Sequence, residues 1–152
     1  MSVPEGKRSK GKLNIETEAY KLLDYIFNIT SKYYLPQVSG EDNIEDDIVN
    51  EQTKWFAERM RIDMLSCMTN IQEANKTVVE DDDSFYDRRL HQTQAERSIE
   101  NVLMSATLMY RRKLLKSKRI KAIGEQTARL KRMIQNWRKS DKARYLKTQT
   151  EE

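Results

Sequence analysis

The side chains in this sequence whose types and spacing could do chemistry are cations gathered near one end of the chain. From Arg111 to Lys147 there are 15 basic residues and two acids, Glu125 and Asp141, a local charge of +13. Residues 1 to 110 carry 13 basic and 20 acidic residues, or −7, and Glu151 and Glu152 add −2, which leaves the whole chain at +4. Lysine and arginine at this density fit phosphate oxygens, because each neutralised phosphate releases condensed counterions and a guanidinium can bond two oxygens at once. The candidate phosphate-binding residues are Arg111, Arg112, Lys113, Lys116, Lys118, Arg119, Lys121, Arg129, Arg132, Arg138, Lys139 and Arg144. Two readings of the charge segregation remain open. Either the basic segment meets a polyanionic partner, or acidic and basic helices face one another within the fold or between subunits.

The groups that would support catalysis or metal binding are sparse. His91 is the only histidine, and Arg88 stands three residues before it, where a di-metal bundle needs Glu. Cys67 is the only cysteine, which rules out an internal disulfide, and it falls on an apolar seam where a thiol is inert. The four glycines are scattered, so no phosphate loop exists. The acidic run Glu80 to Asp83 lacks the alternating ligands, sharp glycine turn and terminal Glu of a calcium loop. It reads better as capping, with Ser84 and Asp87 at capping-box spacing. The expectation is a protein that is not an enzyme and uses no metal or cofactor. Arg88, Gln92 and Asn75 fall on core-side positions and are expected to form one structural polar cluster at an end of the fold.

The elements that must position these residues are helices. With 34 % charged residues, four Gly and two Pro, the composition is that of a long-helix protein. Ile120, Ile123, Thr127, Leu130, Ile134 and Trp137 step by 3 and 4 and draw one apolar seam on a helix from Ser117 to Tyr145, with Ser117 as cap. Ile15, Ala19, Leu22, Ile26, Ile29 and Tyr33 do the same for a first helix, Asn14 to Tyr34, capped by Asn14 and stopped by Pro36. Met60, Met64, Cys67, Ile71 and Ala74 mark a second, Ile44 to Lys76, entered through a turn at Gly40 and capped by Ser39 or Asn43. Its first half has a weak seam and is expected to extend past the core. Ala95, Ile99, Val102, Ala106 and Met109 mark a third, Phe85 to Leu114, joined to the fourth by a turn at Lys116–Ser117. Short connections between heptad-patterned helices predict an all-α, antiparallel up-down-up-down four-helix bundle over residues 13–146. A flexible basic arm, 1–12, and a flexible tail, 147–152, are expected to flank it. Tyr25, Trp55, Phe56 and Leu103 at the seam edges exceed what one bundle covers and predict a homo-oligomer. No stretch approaches the ~20 apolar residues of a membrane span, and no signal-type apolar run follows the first cations, so a cytoplasmic location is expected.

Several segments resemble the four-helix-bundle family related to the accessory variability determinant of diversity-generating retroelements. They are Gly11-Lys12-Leu13, Phe56 through Met60 (FAERM), Ala74-Asn75, Arg88 with Gln92 and Ala95, and Trp137 with Ser140-Asp141 and Arg144-Tyr145. The resemblance covers roughly residues 11 to 145. It implies a ring-like pentamer of bundles whose basic surface binds a reverse transcriptase and structured template RNA or an RNA–DNA hybrid, in support of cDNA synthesis. Relatives of this family also occur inside rRNA intervening sequences, which keeps a self-assembling structural role open. A third alternative is an accessory DNA-binding protein of a mobile element. The chain departs from the family in its long acidic connection, Gly40 to Glu51, which hints at a protein contact there. Aromatics interleave little with the cations of the last helix, so backbone and shape recognition is expected over base stacking.

Overall fold

The computed structural model describes the backbone of residues 5–34 and 44–150 and the side chains of residues 14–33 and 51–150. Four helices make up the described chain: α1 (Glu5–Thr30), α2 (Ile44–Lys76), α3 (Asp82–Arg111) and α4 (Ser117–Thr150). A short 3-10 turn, Ser31–Tyr34, extends α1. The helices pack in sequence order, and α1 closes against α4. The expected seams meet in one core: Leu22 and Ile26 from α1, Met60 and Met64 from α2, Ile99 and Val102 from α3, and Ile123, Leu130 and Ile134 from α4 are all buried. Each buried side chain of this size contributes roughly 1.5–3 kcal/mol, so it is the seams that hold the bundle. No helix among the described residues is long and apolar enough to cross a membrane.

The ends of the helices differ from expectation more than their middles. α1 begins at Glu5, so Asn14 is an interior residue and not a cap, and the segment 5–12 is helical. At its other end, Arg61 of α2 donates from Nη2 to the Phe27 carbonyl at 3.0 Å and from Nε to Thr30 Oγ1 at 2.8 Å. An arginine of α2 thus shares with the Thr30 hydroxyl a carbonyl in the last turn of α1. The Pro36 stop, the Gly40 turn and the caps at Ser39 or Asn43 lie outside the described residues, as do the side chains of the acids before Glu51. α2 spans the expected range, and its first half continues without a break to a buried Thr53.

α3 starts three residues earlier than predicted, because Asp81 and not Ser84 is its cap. The Ser84 amide donates to Asp81 Oδ1 at 2.8 Å, and the Asp81 amide donates back to Ser84 Oγ at 3.0 Å. Hydrogen bonds from Ser84 hold the Asp81 carboxyl below the usual carboxylate range. The α3–α4 connection is also longer than a Lys116–Ser117 turn and occupies residues 112–116. There the Lys113 amide donates to the Tyr110 carbonyl at 3.0 Å and the Leu114 amide to the Met109 carbonyl at 2.8 Å. This pair of bonds closes the helix in a Schellman motif, with Lys113 left-handed at φ 62°. α4 continues to Thr150, so the segment 147–150, expected to be tail, is helical. At the seam edges Trp55 is 59 % exposed, whereas Phe56 is buried and Tyr25 and Leu103 pack partly against the core.

Candidate nucleic-acid interface

The twelve candidate cations do not form one face. Seven come together where α3 turns into α4: Arg111, Arg112, Lys113, Lys116, Lys118, Arg119 and Lys121 are all exposed. The other five follow α4 away from this point, Arg144 lying ~40 Å from Lys118 at 1.5 Å per residue. Several of these five are engaged internally. Arg138 is half-buried and donates to Glu96 Oε2 at 2.6 Å and Thr93 Oγ1 at 3.1 Å. Arg144 stands 3.5 Å from Asp141, and Arg129 stands 3.7 Å from Glu18 of α1. Arg132 and Lys139 are exposed and make no ion pair among the described residues.

The α3–α4 turn forms one wall of a groove of about 690 Å³. Arg111, Lys113, Lys116 and Arg119 line that wall, and Lys32, Asn28 and Tyr33 at the end of α1 line the other. Leu114, Leu115 and Ile29 make the floor, Leu115 being buried in the core. Among the described residues, five cations and no carboxylate line the groove. The ends of three helices meet here, α1 and α3 with their negative ends and α4 with its positive end. Each is worth about half a charge, which leaves about half a negative charge against five cations, so the side chains set the potential.

Lys113 shows how the sequence favours charge over local comfort at this place. Its backbone takes the left-handed conformation in which a Cβ costs about 1–2 kcal/mol and where helices usually carry Gly. A lysine here gives up backbone stability and adds a cation to the groove.

Aromatic rings stand among these cations, contrary to the sequence reading. Tyr33 and Tyr110 line the groove, and Lys32 Nζ lies 5.1 Å from the Tyr33 ring centre. Arg119 donates to the Tyr25 hydroxyl at 3.4 Å and lies 5.8 Å from that ring. Trp55 stands edge-to-face on Phe56 at 5.0 Å, beside Arg112, which donates to Gln52 Oε1 at 3.0 Å. These rings come from α1, α2 and α3, so a search for aromatics within the basic helix could not find them.

The opposite end holds the polar cluster foreseen from Arg88 and Gln92, with a centre that was not foreseen. Asp141 accepts from Arg88 Nε at 2.6 Å, Arg88 Nη2 at 3.1 Å and Gln92 Nε2 at 2.7 Å. Arg88 Nη1 reaches the carbonyls of Ala74 and Thr77 at 3.3 and 3.2 Å, and its guanidinium lies 5.2 Å from the Trp137 ring. The signal was present, since four residues beyond Trp137 the α4 seam falls on Asp141. Asn75 bonds instead to Glu16 of α1. A smaller pocket of about 310 Å³ opens beside this cluster, but its charges are already paired.

The remaining reactive side chains have structural partners. Burial pushes the Cys67 thiol up to about 12, which keeps it protonated and unreactive. His91 Nδ1 lies 2.9 Å from Asn70 Oδ1 in a polar contact between α2 and α3.

The fold and the groove together define an all-helical, four-helix protein with a cationic, aromatic-lined end. Comparison of the chain with protein families, with curated proteins and with solved structures finds no match.

Proposed function

We propose that this chain is an antiparallel up-down-up-down bundle that acts as a non-catalytic adaptor, holding structured RNA or an RNA–DNA hybrid at its basic end for a reverse transcriptase. The groove, lined among the described residues by five cations and no carboxylate, carries the reading. Charges so placed lose little solvation while waiting for a partner and release counterions when phosphates arrive. The cross-helix contacts support the topology: Arg112 at the end of α3 meets Gln52 early in α2, Arg88 early in α3 meets Asp141 late in α4, and Arg119 early in α4 meets Tyr25 late in α1. Each pairs the end of one helix with the start of its neighbour. The sequence resemblance supplies the partner enzyme and the pentameric, ring-like assembly. Trp55, Ile62 and Leu65, all exposed on α2, supply apolar surface for such an assembly.

Binding of a structured RNA hairpin, measured over a range of salt, tests the polyanion reading. If the five groove cations each meet a phosphate, the log–log slope of affinity against salt is about −4. A slope near zero contradicts the reading. The adaptor role is tested first by the neighbouring gene and, where that gene encodes a reverse transcriptase, in a cDNA-synthesis reaction with that enzyme. Synthesis on structured RNA is expected to require the chain. A neighbouring relaxase gene would favour the mobile-element DNA-binding role, and light scattering that gives a monomer at tens of micromolar would remove the ring.

A further inference from the structure

The proposed function needs only phosphate contacts, yet the groove offers more than charge. It is concave, and its volume of about 690 Å³ lies in the range of sites that enclose a small ligand. Its cations stand on two walls, Lys32 on one and Arg111, Lys113, Lys116 and Arg119 on the other. Tyr33 is partly buried and packs against the core, which fixes its ring. Tyr110 is 45 % exposed and opens toward a partner. Asn28 lines the same groove, and its amide both donates and accepts hydrogen bonds. A duplex makes poor use of such a slot, since paired RNA is held across successive wide, shallow grooves by phosphate and 2′-hydroxyl contacts. An unpaired base uses every feature: it stacks on an aromatic ring, offers its edge to an amide and brings its own phosphates.

We infer that the groove between the end of α1 and the α3–α4 turn is a slot for one unpaired nucleotide of an RNA. The base lies against Tyr110 and Tyr33, and the flanking phosphates meet Lys32, Arg111, Lys113, Lys116 and Arg119. This inference rests on the reading that the basic end binds nucleic acid, and it names the part of the nucleic acid that enters. It also gives the basic end a preference for loops, bulges or strand ends over continuous helix.

Fluorescence anisotropy with the full chain tests the slot, using a 12-nucleotide single-stranded RNA and a blunt 12-base-pair RNA duplex as probes. The single strand is expected to bind the more tightly. Tyr110→Ala is expected to weaken single-strand binding about 5- to 150-fold, the effect of losing one stacked base, and to leave duplex binding and the salt slope unchanged. Tyr110→Leu keeps apolar bulk at this half-exposed position without an aromatic face, and it is expected to behave as Tyr110→Ala does. Tyr110→Phe is expected to bind both probes as the parent does. Equal affinity of the parent for the two probes overturns the slot, and so does unchanged single-strand affinity in Tyr110→Leu. In either case, duplex binding with a steep salt slope leaves the basic-end reading standing. Failure of the parent to bind either probe overturns both.

Discussion

At one end of the bundle Arg88 gives two of its nitrogens to Asp141 and a third to the carbonyls of Ala74 and Thr77, with the arginine and aspartate side chains 7 and 8 % exposed. At the other end Lys32, Arg111, Lys113 and Lys116 stand in solvent around a groove that no acid lines among the described residues. Both ends are rich in cations, yet at the first the charge is spent inward and at the second it is left open. The difference shows that the +13 of the basic segment is no measure of a binding face. What counts is whether an acid is within reach. Glu96, Asp141 and Glu18 reach Arg138, Arg144 and Arg129, whereas among the described residues no acid lines the groove at the α3–α4 turn. A buried pair can be replaced by apolar residues at little cost but not halved, while an open cation can be reversed at little structural cost.

That contrast can be broken most sharply at Asp141. Asp141→Ala leaves the Arg88 guanidinium buried without its partner and is expected to cost about 3–5 kcal/mol in denaturant unfolding. Replacing both members, Arg88→Met with Asp141→Leu, is expected to restore most of that loss. A double variant as unstable as the single one would mean that the carbonyl and Gln92 bonds matter more than the ion pair. Trp137→Ala removes the ring beneath Arg88 and is expected to cost about 3–5 kcal/mol, as a buried tryptophan should. An unchanged midpoint would make Trp137 a surface residue.

At the open end, relief of local strain is expected to gain stability and lose function. Lys113→Gly removes the left-handed penalty of about 1–2 kcal/mol and adds back the glycine entropy cost of about 0.5–1 kcal/mol, a net stabilisation of up to about 1.5 kcal/mol. RNA affinity is expected to fall and its salt slope to lessen by about 0.7–0.9. A variant that is more stable and binds RNA unchanged would deny Lys113 a part in the groove.

The smallest effect lies between the two ends, at Asp63 of α2. Burial pushes its carboxyl up from the ordinary range, Arg59 offsets this only in part, and Oδ2 has no hydrogen-bond partner among the described residues. The folded state therefore keeps the proton to a higher pH than the unfolded state does. Stability tied to this group is full below the unfolded pKa and is lost as pH rises through the folded one. Asp63→Asn is expected to raise the unfolding midpoint at pH 7 and to change it little at pH 3.5. The reverse order would contradict a raised pKa.

The seams were legible because 3- and 4-residue spacing states burial directly. Ile15 through Ile26, Met60 through Ala74 and Ile123 through Trp137 point where their spacing says. Arg88 and Gln92 were legible by the same rule, as polar residues in apolar register. Asp141 obeyed that rule too, but as an acid near the end of a cationic helix it reads as surface. The α3 cap was misplaced because an acidic run offers several capping residues, and only geometry chooses Asp81. The α3–α4 turn was misjudged because Lys113 holds a position that glycine would have announced. The aromatic lining of the groove was illegible for a topological reason. Tyr25, Tyr33 and Trp55 are far in sequence from the basic segment, and the meeting of helices puts them, with Tyr110, beside one patch of charge.

The central claim is that the basic end, and not the length of α4, meets the nucleic acid. Two double variants of equal charge change test it, Lys113→Glu with Lys116→Glu at the end, and Arg132→Glu with Lys139→Glu along the helix. All four side chains are exposed and make no ion pair among the described residues, so both variants should keep the fold. The salt slope of structured-RNA affinity is expected to lessen by about 1.4–1.8 for the pair at the end and by less than half of that for the pair along the helix. Equal losses, or a greater loss along the helix, would contradict the claim.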